Sequence, residues 1–99
     1  TNLETYSTYL NVLQNLNKNQ ELLTALKSGN EYFGSSKDYV LNYAKILTSK
    51  FNDTNTATNV LENYLKLYGN NSEVEKSLAN IYTSAGEVAK AAALLKGTN

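Results

Sequence analysis

The carboxylates are the side chains of this chain best suited to chemistry, because the sequence contains neither His nor Cys. Those two residue types supply the commonest general base, metal ligand and thiol nucleophile. Two neighbouring carboxylates could act as general acid and base. Most acidic residues instead stand apart, at the predicted starts of helices: Glu4, Asp38, Asp53, Glu73, Glu75 and Glu87. A carboxylate there favours the positive end of the helix dipole, so the sequence does not predict an enzyme.

Phosphate and cofactor binding find no motif either. The segment Gly34-Ser35-Ser36-Lys37 is short, and it lacks the preceding strand and the spacing that a P-loop requires. We therefore predict no cofactor and no metal site.

The charge balance restricts the class of partner. Nine basic and nine acidic residues cancel, and charged residues make up only 18% of the chain. Nucleic-acid binding depends on neutralising phosphates, so this balance argues against it. No apolar run reaches the length of a membrane span, which argues against membrane insertion. The many Asn, Thr and Ser residues lean slightly towards a bacterial cell envelope or secreted setting, although the compartment itself is not predicted.

Two helices are predicted in the first third of the chain. Leu3 to Leu16 has a helical apolar stripe, with Thr1 and Glu4 as a capping box. A second helix is predicted from about Gln20 to Lys27, ending at Gly29. The next six residues, 30–35, are predicted to be irregular, with Tyr32 and Phe33 plugging the gap between helix pairs.

Four further helices follow from the same kind of pattern. The third begins at Ser35 or Ser36, the fourth after Asn52 or Asp53, and the fifth at a capping box of Ser72 with Glu75. Gly86 is predicted to end the fifth helix, and the sixth runs from about Glu87 to Lys96. The predicted inward residues of helices three to five are Val40, Tyr43, Ala44, Leu47, Phe51, Ala57, Val60, Leu61, Tyr64, Leu65, Tyr68, Val74, Leu78, Ile81, Tyr82 and Ala85. The fold class predicted is all-α.

A repeat of 34 residues connects the last two helix pairs. It aligns Val40 with Val74 in the first helix of each pair, and Ala57 with Ala91 in the second. Small residues at such positions let two helices cross closely. The last repeat resembles the tetratricopeptide repeat in the order and spacing of Leu78, Ala79, Tyr82, Gly86, Ala91 and Leu95. The repeat before it matches more loosely, and the first helix pair fits only as a degenerate member.

This resemblance implies a right-handed stack of three antiparallel helical hairpins, at about 3–28, 36–68 and 72–96. They would form a single domain over residues 1–99, whether alone or as part of a longer array. In that family the first helix of each hairpin lines a concave groove that binds a protein or peptide. The resemblance therefore implies that the groove is lined by Tyr39, Asn42, Ile46, Lys50, Glu73, Lys76, Asn80 and Thr83. Two alternatives stay open for this groove. Helix one could cover Tyr39 and Ile46, so that they do not contact a partner. Lys76 and Asn80 could instead hold the terminal carboxylate of a peptide, because they resemble half of the carboxylate clamp found in some members of that family.

The last helix offers a second candidate surface. It is apolar around most of its circumference, and no polar capping helix follows it. The residues predicted to contact a partner or a second copy of the chain are Ala89, Ala92, Ala93 and Leu94.

The function predicted from the sequence is that of a non-catalytic protein–protein interaction or scaffold module. One alternative is a structural helical subunit that forms a homo-oligomer through its last helix. Another is a small-molecule carrier that uses a tyrosine-rich interior, since the chain has eight Tyr.

Overall fold

Six α-helices and no β-strand make up residues 2–97, the part of the chain that the computed structural model describes. They are α1 (Leu3–Asn15), α2 (Asn19–Phe33), α3 (Lys37–Ser49), α4 (Thr54–Tyr68), α5 (Ser72–Ser84) and α6 (Val88–Lys96). Each helix packs on the next one along the chain, and α3 also contacts α5. The molecule measures 39 × 26 × 15 Å. The all-α prediction is confirmed.

Side-chain oxygens cap the start of four helices. The capping residues are Asn2, Ser36, Asp53 and Asn71. The predicted cap at Asp53 is confirmed, since its carboxylate accepts from the backbone N–H of Thr56 at 3.1 Å. Ser36, one of the two residues at which the third helix was predicted to begin, caps α3. The predicted cap at Ser72 is wrong by one residue, because Asn71 caps α5. Asn2 caps α1, and the predicted Thr1 cap lies outside the described residues.

Helix α2 is longer than the sequence predicts, because it passes through Gly29 and ends only at Phe33. Gly29 is buried, and a Cβ added there would lie 2.6 Å from Tyr6 Cε2 and 2.9 Å from Tyr39 Cζ. Glycine is therefore needed for the close approach of two tyrosines, and the predicted stop at this residue is wrong. Tyr32 and Phe33 were both predicted to fill the gap between helix pairs. Phe33 packs on the core as predicted, but Tyr32 does not, because it is 74% exposed.

The turns within the three helix pairs share two backbone features. Each has a residue with positive φ, which is Asn17 between α1 and α2, Asn52 between α3 and α4, and Gly86 between α5 and α6. The backbone N–H of the following residue donates a hydrogen bond to the backbone oxygen of a buried residue in the preceding helix. The three bonds run from Lys18 to Leu13, from Asp53 to Leu47 and from Glu87 to Tyr82. That bond spans five residues in the first and third turns and six in the second. The middle turn therefore contains one extra residue.

The extra residue changes the alignment of the repeats. Helices α3 and α5 begin 35 residues apart, whereas α4 and α6 begin 34 apart. Buried positions of α3 match those of α5 at the 35-residue step: Tyr39 with Val74, Val40 with Glu75, Tyr43 with Leu78, Ala44 with Ala79, and Leu47 with Tyr82. The 34-residue alignment is thus correct for Ala57 and Ala91 but wrong by one residue in the first helix of each pair.

The core follows the predicted stripes except at helix ends. Leu10, Leu26, Leu47, Leu61 and Leu78 are at most 1% exposed. Leu16, Tyr68 and Ala85 were predicted to face inward, but they lie at or just after the last turn of their helices and are exposed.

Candidate functional site

An open groove of about 590 Å³ lies between α3 and α5. It is lined by Leu41, Lys45, Thr48 and Asn52 from α3 and its turn, by Thr54, and by Ser77, Asn80, Ile81 and Ser84 from α5. Leu41 and Ile81 are half-buried, so they give the groove an apolar base, and most of the other lining residues carry hydroxyl or amide groups. Such a mixture suits a ligand that combines apolar side chains with hydrogen-bonding groups.

The polar groups of the groove are mostly free to bind. Thr48 Oγ1 already donates to the backbone oxygens of Ala44 and Lys45, both at 3.1 Å. In residues 2–97 the side chains of Asn52 and Asn80 make no hydrogen bond, and Lys45 is in no ion pair. Lys45 is also the one charged residue of the lining. The groove can therefore offer two amides and one cation to a ligand.

The predicted groove residues of α3 are mostly misplaced. Tyr39 and Ile46 are 2% and 3% exposed, so they are buried and do not lie on the groove surface as predicted. The alternative placed both under helix one, whereas Tyr39 contacts α2, donating a hydrogen bond from its hydroxyl to the Leu26 backbone oxygen. Asn42 is half-buried, and Lys50 Nζ donates to Asn17 Oδ1 at 3.2 Å.

The predicted groove residues of α5 are all exposed. Asn80 lines the groove. Glu73 instead pairs with Lys37 at 2.6 Å, and this hydrogen-bonded carboxylate raises the pKa of Lys37. Thr83 Oγ1 donates to the Ala79 backbone oxygen. Lys76 is exposed to solvent and does not line the groove.

The α3 residues that line the groove, Leu41, Lys45 and Thr48, were not predicted from the sequence. The signal was available: Leu41, Lys45 and Thr48 stand 35 residues before Lys76, Asn80 and Thr83, which were predicted on α5. The caps Ser36 and Asn71 are 35 residues apart as well. Aligning helix starts, instead of the alanines of the second helices, selects the correct face. The missed residues on α5 are Ser77, Ile81 and Ser84.

Of the four α6 residues predicted to contact a partner, three are exposed and one is half-buried. Ala89, Ala92 and Ala93 are exposed, and Val88 is 59% exposed. Leu94 is half-buried and packs against the core, so it faces the core more than the predicted partner surface.

A hydrogen-bonded pair of ionisable groups connects α4 to α5. The Tyr82 hydroxyl donates to Glu62 Oε2. Burial, followed by the hydrogen bond to Glu62 and the charge of that carboxylate, raises the pKa of Tyr82 to about 12. Lys90 lies 5.7 Å from the centre of the Tyr82 ring, and its ion pair with Glu87 raises the pKa of Lys90. Tyr82 is therefore a neutral hydrogen-bond donor at neutral pH.

A smaller cavity of about 230 Å³ lies between α2 and α4. Asn30 borders it, and Asn30 Oδ1 is buried without a hydrogen-bond partner in the described structure. The rings of Tyr64 and Tyr68, also in its lining, lie 5.2 Å apart.

Residues 2–97 contain no group of three or more His, Cys, Asp or Glu side chains that could hold a metal ion. Over the same residues, no helix has the length and apolar character needed to cross a lipid bilayer. No protein-family model, curated protein or solved structure matches the chain.

Proposed function

We propose that this chain is a non-catalytic protein–protein interaction module, built as a right-handed stack of three tetratricopeptide-like helical hairpins. The repeated positive-φ turn supports the stack, because such a residue, followed by a backbone hydrogen bond to the preceding helix, occurs between α1 and α2, α3 and α4, and α5 and α6, with one extra residue in the middle turn. Ala44 and Ala79 support it too, since both are buried at the same position of their helices. Small residues there permit close packing between helices.

The ligand we propose is an extended peptide segment of a partner protein, bound in the groove between α3 and α5. The observation that carries this proposal is the pair of unbonded amides, Asn52 and Asn80, beside the apolar base formed by Leu41 and Ile81. An amide side chain both donates and accepts, which matches the N–H and C=O groups of a peptide backbone. Lys45 adds a preference for a carboxylate in the peptide.

Peptide selection from a random library, followed by fluorescence anisotropy, tests this proposal. We expect Asn80→Ala and Lys45→Ala each to weaken a selected peptide about tenfold, which corresponds to about 1.4 kcal/mol. Lys76→Ala is the matched control, because Lys76 is an exposed lysine of α5 outside the groove lining. Selected peptides whose affinity falls with Lys76→Ala and not with Asn80→Ala would contradict this site.

A second candidate is a structural subunit that self-associates through α6. Exposed Val88, Ala89 and Ala92 favour it, because small apolar residues permit close contact between helices. Sedimentation over a concentration series tests it: a dimer that Ala92→Glu dissociates is expected, and a monomer at every concentration rejects it.

A further inference from the structure

The first and last helices of the structure expose faces that the equivalent inner helices bury. Helices α1, α3 and α5 have 13 residues each, so their positions correspond one to one. Helices α1 and α3 begin 34 residues apart, and α3 and α5 begin 35 apart. Because α2 packs on α3 and α4 packs on α5, each α1 position can be compared with one that a preceding pair covers.

An apolar stripe of α1 is exposed, although the same positions are buried in α3. Tyr9 is 45% exposed, whereas Tyr43, at the corresponding position of α3, is 5% exposed. Val12 is 47% exposed, and its counterpart Ile46 is 3% exposed. Leu16, at 59%, continues the stripe by one turn on the same side of the helix. Helix α1 therefore presents an apolar face of the kind that α3 covers with a preceding pair.

Helix α6 carries a matching stripe on its own exposed side. Leu95 is 44% exposed, whereas Leu26 and Leu61, at the corresponding positions of α2 and α4, are fully buried. Val88 and Ala92 are exposed and stand seven and three residues before Leu95, on the same side of the helix. The α6 stripe thus consists of two smaller residues and one leucine, and the α1 stripe consists of larger side chains.

Contacts at the inner junction show where these positions face. The backbone oxygen of Leu26 accepts a hydrogen bond from Tyr39 of the following pair at 2.7 Å. Lys50, at the α3 position that corresponds to Leu16, donates to Asn17 in the turn of the preceding pair at 3.2 Å. The exposed stripes of α6 and α1 are therefore the two halves of the junction that joins successive pairs inside the molecule.

Charge favours contact between α6 and α1 over contact between two α6 helices. Helix α6 contains two lysines and no acidic residue, and Glu87 just before it pairs with Lys90, which leaves one net positive charge. Helix α1 contains one acidic residue, Glu4, and no basic residue. Opposite charges attract and like charges repel, so α1 of a second copy is the better partner for α6.

We infer that copies of this chain associate head to tail, with the Val88–Ala92–Leu95 stripe of α6 packed on the Tyr9–Val12–Leu16 stripe of the next copy. The inference rests on the proposed stack of helix pairs, and it names α1 as the surface that α6 binds. A contact between two different faces is heterologous, so each added copy presents both faces again and association continues beyond a dimer.

Sedimentation of the whole chain with two charge variants tests the contact. The mass of the wild type should rise past that of a dimer in a concentration series up to about 1 mM, which suits a contact smaller than a standard interface. Val12→Glu and Ala92→Glu should each weaken self-association at least about tenfold, because each places an unpaired carboxylate in the contact. An equimolar mixture of the two variants should form a heterodimer, since one keeps the α6 stripe and the other keeps the α1 stripe.

The matched controls are Asn11→Glu in α1 and Ala93→Glu in α6. Both residues are exposed, and both lie on the other side of their helix from the stripe, so these variants should associate like the wild type. Val12 and Ala92 are exposed as well, so the test variants should keep the wild-type circular dichroism spectrum.

Three results would overturn the inference. They are a wild type that stays monomeric at every concentration, a Val12→Glu variant that associates like the wild type, and two monomeric variants whose mixture forms no heterodimer. Val12 and Ala92 do not line the groove between α3 and α5, so both variants should bind a selected peptide with wild-type affinity. Peptide binding by a strictly monomeric wild type would therefore reject the head-to-tail contact and leave the proposed groove intact.

Discussion

The junction between α2 and α3 and the junction between α4 and α5 join successive helix pairs by different physical means. At the first, Tyr39 packs its ring 5.7 Å from Phe33 and donates from its hydroxyl to the Leu26 backbone oxygen at 2.7 Å. At the second, Tyr82 donates to a carboxylate, that of Glu62. The first junction therefore combines the fit of buried rings with a hydrogen bond to the backbone, and the second depends on a hydrogen bond from a phenol to a side-chain carboxylate.

This difference predicts which perturbation each junction resists. Rings packed at the density of a protein interior cannot accept an added methyl group without moving. A hydrogen bond between two side chains, as at the second junction, tolerates changes in shape better. The first junction should thus be the more sensitive to added volume, whereas alkali affects both, because the pKa values of Tyr39 and Tyr82 are both raised.

Gly29→Ala should have the largest effect, at the first junction. Helix propensity alone predicts a gain of about 1 kcal/mol from this substitution. The new Cβ would lie 2.6 Å from Tyr6 Cε2, however, and overpacking of this kind typically costs about 1–3 kcal/mol. Three atoms of the two tyrosines would lie within 3.0 Å of the new Cβ, so we place the cost at the upper end of that range, about 3 kcal/mol. Set against the gain of about 1 kcal/mol, this gives an expected net loss of about 2 kcal/mol in the free energy of urea unfolding, followed by circular dichroism.

The control for that substitution is Ser28→Ala, at the exposed neighbouring position in the same helix. It should leave stability within about 0.5 kcal/mol of the wild type. A stabilising effect of Gly29→Ala would show that the two tyrosines move aside easily, and the contrast between the junctions would then disappear.

Tyr39→Phe should have an intermediate effect of about 1 kcal/mol, because it removes one buried hydrogen bond and keeps the ring. The Tyr39 hydroxyl is also the atom nearest to a Cβ at Gly29. The loss caused by Gly29→Ala should therefore be smaller in the Tyr39→Phe background. A double-mutant cycle in urea measures this coupling, and additive losses would argue against a shared steric cause.

Tyr82→Phe should have the smallest effect on the free energy of unfolding at neutral pH, below about 1 kcal/mol. Its main effect should be on the pH dependence of that free energy above pH 10. The pKa of Tyr82 is raised from 10.0 to about 12 in the folded chain. Above pH 10 the unfolded chain loses this proton first, so the stability contributed by Tyr82 is present below pH 10 and is lost towards pH 12. The free energy of unfolding, measured from pH 8 to 12, should fall less steeply in Tyr82→Phe.

The other buried tyrosines limit that difference. Burial also raises the pKa of Tyr39, Tyr43 and Tyr6, so the variant should keep part of the alkaline slope. An unchanged slope in Tyr82→Phe would show that burial and the Glu62 hydrogen bond together add no pH-dependent stability at the second junction.

The helices were predictable from the sequence because apolar spacing and end residues agree along most of the chain. Asp53 and Gly86 mark their helix ends as expected. The prediction that Gly29 ends α2 is wrong, because glycine can either end a helix or make space for a neighbouring side chain. Which role applies depends on Tyr6 and Tyr39, whose contact with α2 is a tertiary feature that the local sequence does not contain.

Of the groove lining, the sequence predicted only Asn80 on α5 and no residue on α3, because the wrong alignment of the repeats was used. One extra residue in the turn at Asn52 shifts the step between first helices from 34 to 35 residues. A shift of one residue turns a helical position by about 100°. Tyr39 and Ile46 therefore face the core, and Lys45 borders the groove. The burial of Asn30 Oδ1 without a hydrogen-bond partner in the described structure had no sequence signal, because it is a tertiary feature.

The thinness of the molecule has a consequence for how it could organise larger assemblies. Its longest and shortest dimensions are 39 and 15 Å, and the exposed α6 residues Ala89, Ala92 and Ala93 do not line the groove between α3 and α5. A peptide in that groove and a partner on α6 would not compete. Two such segments tethered in one partner would reinforce each other through effective concentration, whereas segments from separate proteins would be brought to within a few nanometres. A domain of this size would therefore bind most tightly to a partner that presents both segments.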